Sequence, residues 1–161
     1  MFINVILLII YIWILYLVYN KIYLKESLDT LNENKIEKLT DKWINNVISN
    51  KPVDVANMFC NDGSLVGTVS REKRKGNDIK LYFDYFANLP NIKVLSKKYN
   101  ISKIKDDVYI NTAFIDWMWD GLENPVTARM SFTFRDNCIF QLHSSALPEN
   151  NETLQKISGK T

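Results

Sequence analysis

The stretch QLHSSALP, from Gln141 to Pro148, contains the only histidine of the chain. Histidine is the residue that most often serves as a general base, and serine is a common nucleophile. His143 is followed directly by Ser144 and Ser145, but adjacent residues of a strand point to opposite faces, so the three do not form a nucleophile–base pair. We therefore predict a structural role for His143 at the end of the last strand, with catalysis as the alternative.

Arg129 is the second candidate, because it lies in a run whose residues alternate between two chemical types. Val126, Ala128, Met130, Phe132 and Phe134 predict one face of a strand, and Thr127, Arg129, Ser131, Thr133 and Arg135 predict the other. An arginine that faces inward requires a carboxylate or a bound anion to compensate its charge. If the face that contains Arg129 is internal, we expect an anion site; if it is external, we expect Arg129 to be solvated. The sequence leaves both alternatives open.

The turn between the last two strands decides which side chains join Arg129. Asp136 and Asn137 suit a two-residue hairpin turn, because both residue types tolerate left-handed backbone conformations. In that register, which we favour, Arg129 lies opposite Ser144 and His143 is on the other face. A three-residue loop, the alternative, would bring four residues together on one face: Arg129, Ser131, His143 and Ser145.

A small-molecule pocket is predicted on the Arg129 face. Pairing Trp119 with Pro125 across the preceding hairpin puts alternate residues of the earlier strand, from Tyr109 to Trp117, on that same face. Aromatic walls with a few convergent polar groups are typical of ligand pockets. The predicted lining residues, two of them from a helix, are Arg129, Asn111, Tyr109, Trp117, Ser131, Ser144, Tyr82 and Phe86.

Helical periodicity comes first in the chain and strand periodicity last. Residues 31–50 and 77–90 repeat apolar side chains at helical spacing, and Pro52 suits the first turn of a short helix between them. Turn-forming residues 61–63 precede a short strand around Leu65. Four long strands are predicted at about residues 92–104, 107–119, 125–135 and 138–146. This order predicts an α+β domain at about residues 38–149, with a mostly antiparallel sheet.

The chain begins with a long apolar run. Residues 2–19 carry no charged side chain, so we predict a transmembrane anchor at 1–24, a polar juxtamembrane helical linker at 25–37 and a polar tail at 150–161. Lysines that follow the run, from Lys21 onward, predict a cytosolic domain by the positive-inside tendency. Secretion after cleavage of a signal peptide is the alternative. In the cytosol two glycosylation sequons, Asn100-Ile-Ser and Asn151-Glu-Thr, would go unused.

Composition excludes several classes of protein. A net charge of +2 is too small for a protein that neutralises many nucleic-acid phosphates. One histidine and two separated cysteines are too few for a zinc site, so we predict no metal. We interpret Cys60 and Cys138 as buried free thiols, with a disulfide as the alternative. Since no Gly-rich phosphate loop or nucleotide fingerprint occurs, we predict no cofactor.

Three segments carry a resemblance to a known family: DGSLVGTVSREKR…DIKLYFDYFANLP, PVTARMSFTFRDN and LHSSALPE. Together they resemble the SnoaL-like branch of the NTF2-like superfamily, and more specifically the stand-alone relatives of the calcium/calmodulin-dependent protein kinase II association (hub) domain. The resemblance covers about residues 38–149. It implies a cone in which a strongly curved sheet wraps around N-terminal helices and encloses a pocket.

The resemblance also implies a function. Hub domains oligomerise and bind small acids through arginines, of which Arg129 matches one, whereas Ser144 stands at a second position and the third falls near Ala113 or Phe114. The catalytic aspartate of SnoaL cyclases matches no position clearly. We therefore expect a membrane-anchored, self-associating, non-catalytic module with a small ligand in its cone. A SnoaL-like isomerase, cyclase or hydrolase is the alternative.

The expected partners follow from the same resemblance. We predict a homo-oligomer, whose interface is formed on the outer sheet face by Val126, Met130, Phe132 and Phe134. A kinase hub is a further predicted partner through mixed assembly. Residues 2–19 provide the predicted membrane contact.

Overall fold

The computed structural model describes residues 10–19, 31–68 and 70–147. Contacts divide the chain into two units, Met1–Thr30 and Leu31–Thr161. In the first unit residues 10–19 are helical and their apolar side chains are exposed.

The described residues contain no helix that is long and apolar enough to cross a membrane. The rest of the predicted anchor at 1–24, most of the predicted linker at 25–37 and the predicted tail at 150–161 lie outside the described residues. The linker's last residues belong to the second unit, because Ile36 is completely buried in its core.

Helix α1 spans Glu33–Ile48 and packs its apolar stripe into the domain. It begins where the Asn32 side chain accepts a hydrogen bond of 2.9 Å from the Lys35 backbone N–H, which satisfies one of the free donors of the first turn. Ile36, Trp43 and Val47 recur at helical spacing and are fully buried. Helix α2 spans Pro52–Ala56, and its proline occupies the first turn as the sequence predicts.

Strand β1 spans Phe59–Val66, and β2 is the two-residue strand Lys73–Arg74. The turn predicted at residues 61–63 is wrong, because those residues lie within β1. They sit where the β1 register shifts, and a Cβ on Gly63 would lie 2.8 Å from the carbonyl oxygens of Cys60 and Ile139. Turn-forming residues thus accommodate an irregularity inside the strand.

Helix α3 spans Asn77–Phe86, and the remaining strands are β3 (Lys93–Lys105), β4 (Val108–Met118), β5 (Val126–Arg135) and β6 (Cys138–Ala146). The sheet order is β2-β1-β6-β5-β4-β3. All neighbours are antiparallel except β1 and β6, which are parallel. The predicted α+β class and the four long strands are confirmed.

The core lies between the helices and the inner face of the sheet. Trp43 of α1 sits at its centre, with edge-to-face contacts to Phe83 of α3 at 5.6 Å and Phe132 of β5 at 5.2 Å between ring centroids. Such contacts add to the free energy gained by burying the rings. One aromatic residue therefore joins two helices and the sheet.

Cys60 and Cys138 form a disulfide, so the interpretation of these residues as free thiols is wrong. The parallel pairing of β1 with β6 brings the two strand starts together, with the Cα atoms 5.1 Å apart. The cysteines are 78 residues apart in the chain, so their spacing gave no sign of this contact. Closing a loop of that length stabilises the fold by about 4 kcal/mol in the chain-entropy model.

Candidate functional site

A cavity of about 420 Å³ lies between α3 and the inner face of the sheet. Most of its wall is aromatic or aliphatic, with Tyr82 and Phe86 on one side and Trp117 and Met130 on the other. Its volume is within the range of small-molecule sites in proteins, toward the lower end. The cavity is therefore large enough for a compact organic molecule.

Helix α3 supplies one aromatic wall through residues one turn apart. The rings of Tyr82 and Phe86 are nearly parallel, with centroids 6.3 Å apart, because residues at i and i+4 lie on one helix face. Phe86 meets Trp117 edge to face at 5.4 Å and Trp119 at 6.5 Å. These contacts hold the rings in fixed orientations, which suits the recognition of a flat, apolar ligand.

A pair of hydroxyl groups is the main polar feature of the cavity wall. Thr68 Oγ1 and Ser144 Oγ are 2.7 Å apart and share one hydrogen bond, in which either can donate. Each hydroxyl has one proton, so one proton is used between them and the other remains available. The pair can therefore donate one hydrogen bond to a ligand and accept others.

Gly67 allows the Tyr82 ring to reach its position. A Cβ at residue 67 would lie 2.5–2.8 Å from two ring atoms and the hydroxyl oxygen of Tyr82, which is closer than such atoms can approach. The Arg74 guanidinium lies 5.1 Å from the centroid of the same ring. The missing side chain of Gly67 and the charge of Arg74 thus fix the position of the Tyr82 ring in the cavity wall. Local sequence pattern indicates neither role.

The described part of the cavity wall carries no carboxylate, histidine, lysine or arginine. Its titratable side chains are those of Tyr82 and Tyr85. An anionic ligand would lose its hydration there without gaining a charged partner. The wall therefore favours an uncharged ligand.

Four of the residues predicted for the pocket line this cavity: Trp117, Ser144, Tyr82 and Phe86. Tyr109 and Asn111 are also on the inner face, but they are buried in the core and do not line the cavity. The Asn111 side-chain N–H donates to Thr40 Oγ1 at 2.9 Å, and its Oδ1 is buried without a hydrogen-bond partner. This amide ties β4 to α1.

Arg129 lies on the outer face of the sheet and is exposed, so the prediction that it faces the pocket is wrong. The error is one residue in the β4–β5 register. Trp117 pairs with Val126, and Arg129 consequently lies opposite Phe114, an outer-face residue. A one-residue difference in pairing exchanges the two faces of a strand.

The β5–β6 hairpin begins as predicted and then departs from the predicted register. Asp136 and Asn137 have φ of 52° and 64°, as a two-residue turn with two left-handed residues requires, and Arg135 pairs with Cys138. Beyond Ile139 a bulge at Phe140 shifts the pairing by one residue.

The bulge determines the neighbours of His143. His143 pairs with Ser131, and Arg129 pairs with Ser145. The four residues expected together from a three-residue loop therefore share a face, but they do so through a bulge, and that face is the outer one. Ser131 and His143 accordingly lie away from the cavity, and Ser144 faces it.

The four residues predicted for an oligomer interface are on the inner face. Val126 and Met130 line the cavity, while Phe132 and Phe134 are completely buried in the core. Their assignment to the outer sheet face is wrong for the same reason as that of Arg129: the two faces of β5 are exchanged.

Solved structures with the same arrangement identify the fold. A protein from Xanthomonas campestris described as a calcium/calmodulin-dependent protein kinase II association domain aligns with a TM-score of 0.63 and 27% identity, over 74% of this chain and 90% of that one. A protein from Streptomyces avermitilis described as a dehydratase of the NTF2-like family aligns with a TM-score of 0.62 and 10% identity, over 71% and 95%. The chain is similar to these proteins and has the NTF2-like fold. The predicted resemblance is thereby confirmed.

Another solved structure with a similar fold is described as that of an enzyme. The epoxide hydrolase/cyclase-like protein SalBIII of salinomycin pyran-ring formation aligns with a TM-score of 0.55 and 14% identity, over 73% of this chain and 94% of that one. At this identity the likeness shows the fold alone. The sequence matches no family model and no curated protein.

Two carboxylates outside the cavity hold the edge of the NTF2-like sheet. Burial alone would raise the pKa of Asp41, but hydrogen bonds from Lys97 and Tyr99 outweigh it and leave that pKa below its ordinary value. Burial, followed by the hydrogen bond to Asp41, raises the pKa of the Tyr99 hydroxyl. Because Asp41 is on α1 and its partners are on β3, this cluster fastens the helix to the edge strand.

The second carboxylate is on the outer face. Asp116 accepts hydrogen bonds from Ser96 and from Thr127, the latter at 2.7 Å, and these lower its pKa. Asp116 of β4 thus links β3 to β5. Neither Asp41 nor Asp116 lines the cavity, so both serve the fold.

Proposed function

We propose that this NTF2-like domain is a non-catalytic binding module for a small, uncharged molecule with an aromatic or alicyclic body. The observation that carries the proposal is the 420 Å³ cavity, whose described wall is apolar apart from hydroxyl groups and contains no charged side chain. Apolar burial supplies affinity, and the Thr68–Ser144 pair orients one polar group of the ligand.

The charge distribution argues against recognition of a small acid. The arginine that the hub resemblance assigns to acid binding, Arg129, is exposed on the outer face, and the second matching position is a serine. A carboxylate in the cavity would have only hydroxyl groups as partners, which do not compensate the loss of its hydration. A neutral ligand has no such cost.

The same wall argues against the SnoaL-like enzyme alternative. General acid–base catalysis requires a titratable group within hydrogen-bond distance of the reacting atom. His143 and Arg129 lie on the other face of the sheet, and the described cavity residues offer two tyrosines and two hydroxyl groups. These residues can hold a ligand, but none of them is an evident base.

Self-association and attachment to a membrane through residues 2–19 belong to the same proposal. The description of the similar Xanthomonas campestris protein as an association domain supports self-association. The four residues first assigned to the interface do not support it, since they face inward. An assembly surface would therefore use other residues.

Binding is tested on the full chain, purified in mild detergent, with a matched pair of probes of similar size: 2-naphthol, which is neutral, and 2-naphthoate, which is anionic. Native mass spectrometry and calorimetric titration measure complex formation. We expect 2-naphthol to bind more tightly than 2-naphthoate. Tighter binding of 2-naphthoate that depends on Arg129 would overturn the proposal.

Adjacent residues of β5 provide matched variants. Ala128 faces the cavity and Arg129 faces away, so Ala128→Phe should abolish binding of 2-naphthol and Arg129→Ala should leave it unchanged. Ala146 also lines the cavity but is exposed, so Ala146→Phe should fill the cavity with less effect on folding. It replaces Ala128→Phe in the test if that variant does not fold. Equal binding by all four proteins would show that the probe binds elsewhere, and the site would be refuted.

A further inference from the structure

The disulfide bears on the compartment in which the domain folds. Disulfides form and persist in oxidising compartments, whereas glutathione and thioredoxin keep cytosolic thiols reduced. Cys60 and Cys138 join β1 to β6 and are only half-buried, so reductants can reach them. A bond at this position indicates a domain that is exported from the cytosol.

The lysines after the apolar run favour the opposite orientation. The positive-inside tendency is statistical, and it acts on the choice of topology during insertion. The disulfide concerns the finished fold, because it links strands that are separated by 78 residues. We give the disulfide more weight, since a reducing compartment would remove it whatever the flanking charges are.

One glycosylation sequon lies on the surface of the folded domain. Asn100, Ile101 and Ser102 form the sequence Asn-x-Ser within β3, the outermost strand of the sheet. Asn100 and Ser102 are exposed, and they share a face because they are two residues apart on a strand. Ile101, between them, packs against the core. The two residues that define the sequon therefore both point to solvent.

The position of Asn100 leaves room for a bulky group. Asn100 pairs with Thr112 of β4, which places its side chain on the outer face. The other edge of β3 is not paired with any strand of the described residues. A sugar chain attached to Asn100 would extend away from the cavity and cover part of this open edge, which is the kind of edge that otherwise invites pairing with another chain.

We propose that Asn100 is a site of N-linked glycosylation and that the domain folds on the oxidising side of the membrane through which it is exported. The donor is an oligosaccharide linked to a lipid diphosphate. The Asn100 amide nitrogen forms a bond to the anomeric carbon, the bond from that carbon to the diphosphate oxygen breaks, and the lipid diphosphate leaves. The amide nitrogen gives up one proton to a base of the transferase, and no oxidant or reductant is needed. The proposal does not depend on what the cavity binds.

The test is cell-free translation of the full chain in the presence of microsomes derived from endoplasmic reticulum. Asn151→Gln removes the second sequon and leaves Asn100 as the acceptor. We expect this protein to show an upward gel shift of one glycan that endoglycosidase removes and that proteinase outside the vesicles does not abolish. Adding Asn100→Gln, or in a separate variant Ser102→Ala, should remove the shift, whereas Ser102→Thr should retain it.

Two results would overturn the proposal. Absence of any shift in the Asn151→Gln protein shows that Asn100 is not modified, and a shift that survives Asn100→Gln assigns the glycan to another residue. A second measurement addresses the compartment directly. A membrane-impermeant maleimide is added outside sealed vesicles that contain the folded protein, and it should label neither Cys60 nor Cys138. Labelling of both would show that the cysteines are reduced and lie on the cytosolic side.

Discussion

Thr68 and Ser144 share a hydrogen bond of 2.7 Å across the cavity wall although 76 residues separate them in the chain. The contact exists because β1 runs parallel to β6, so the end of β1 and the loop after it lie beside the end of β6. The pair is the main polar feature of a described cavity wall that is otherwise mostly apolar. The two hydroxyl groups that would orient a ligand are therefore brought together by the parallel pairing of β1 and β6.

The first prediction concerns Ser144. Ser144→Ala removes one of the two hydroxyl oxygens that can accept a hydrogen bond from the 2-naphthol hydroxyl, so the dissociation constant for 2-naphthol should rise about threefold to tenfold, the usual value of one hydrogen bond. Calorimetric titration measures the change. Ser145→Ala, on the outer face of the same strand, is the control and should bind as the unmodified protein does. Equal losses in both variants would refute a specific role for Ser144.

The second prediction concerns Gly67 and Tyr82. Gly67→Ala places a Cβ against the Tyr82 ring, so the ring must move and the free energy of unfolding should fall by about 1–3 kcal/mol, as in other overpacked sites. Urea unfolding measures it. In a double-mutant cycle with Tyr82→Ala the combined cost should be less than the sum of the single costs, because the second change removes the clash. Additive costs would show that the two residues do not interact.

The third prediction concerns the disulfide. Cys60→Ser combined with Cys138→Ser should lower the free energy of unfolding by about 4 kcal/mol, because the unfolded chain regains the freedom of the closed loop. Guanidinium unfolding with and without a reductant measures the effect. The unmodified protein should lose stability when reduced, and the double variant should be insensitive. A reductant that leaves the unmodified protein unchanged would contradict a stabilising bond.

The fourth prediction concerns pH. The pKa of Asp41 is lowered in the folded state, so its contribution to stability is present above the unfolded pKa of about 4 and is lost as the pH falls through the lower, folded pKa. Asp41→Asn should therefore be less stable than the unmodified protein at pH 7, and the difference should shrink below about pH 4. Asp107→Asn, in the exposed β3–β4 turn, is the control. A difference that is the same at both pH values would exclude linkage through Asp41.

Local pattern was sufficient for the helices, for the four long strands and for the turn between β5 and β6. Alternation identified the four long strands, and helical spacing identified two residues of α3 that face the cavity, Tyr82 and Phe86. The Asp136–Asn137 turn was predictable because left-handed backbone conformations restrict the residue types that tolerate them. These features depend on residues that are near one another in the chain.

The faces of β5 were not predictable in this way. The sequence pattern is compatible with burial of either face of the strand, the apolar face or the face that contains an arginine. A shift of one residue in the β4–β5 pairing decides which face is buried. The bulge at Phe140 then shifts the β5–β6 pairing by one residue. His143 consequently pairs with Ser131 and not with the residue that a regular hairpin from this turn would place opposite it. Phe140 lies under the Arg135 guanidinium, 4.3 Å from the ring centroid to Cζ, and nothing in the local alternation distinguishes this residue from its neighbours.

The amino-acid sequence by itself determined the α+β class, the likeness to the NTF2-like superfamily and two of the aromatic residues that α3 contributes to the cavity, because these depend on spacing and residue type over short stretches. Only the tertiary structure decided that Arg129 faces outward, that Ser144 meets Thr68 and that Cys60 meets Cys138. Each of these outcomes depends on strand register or on the parallel β1–β6 pairing, and both arise from contacts between residues far apart in the chain.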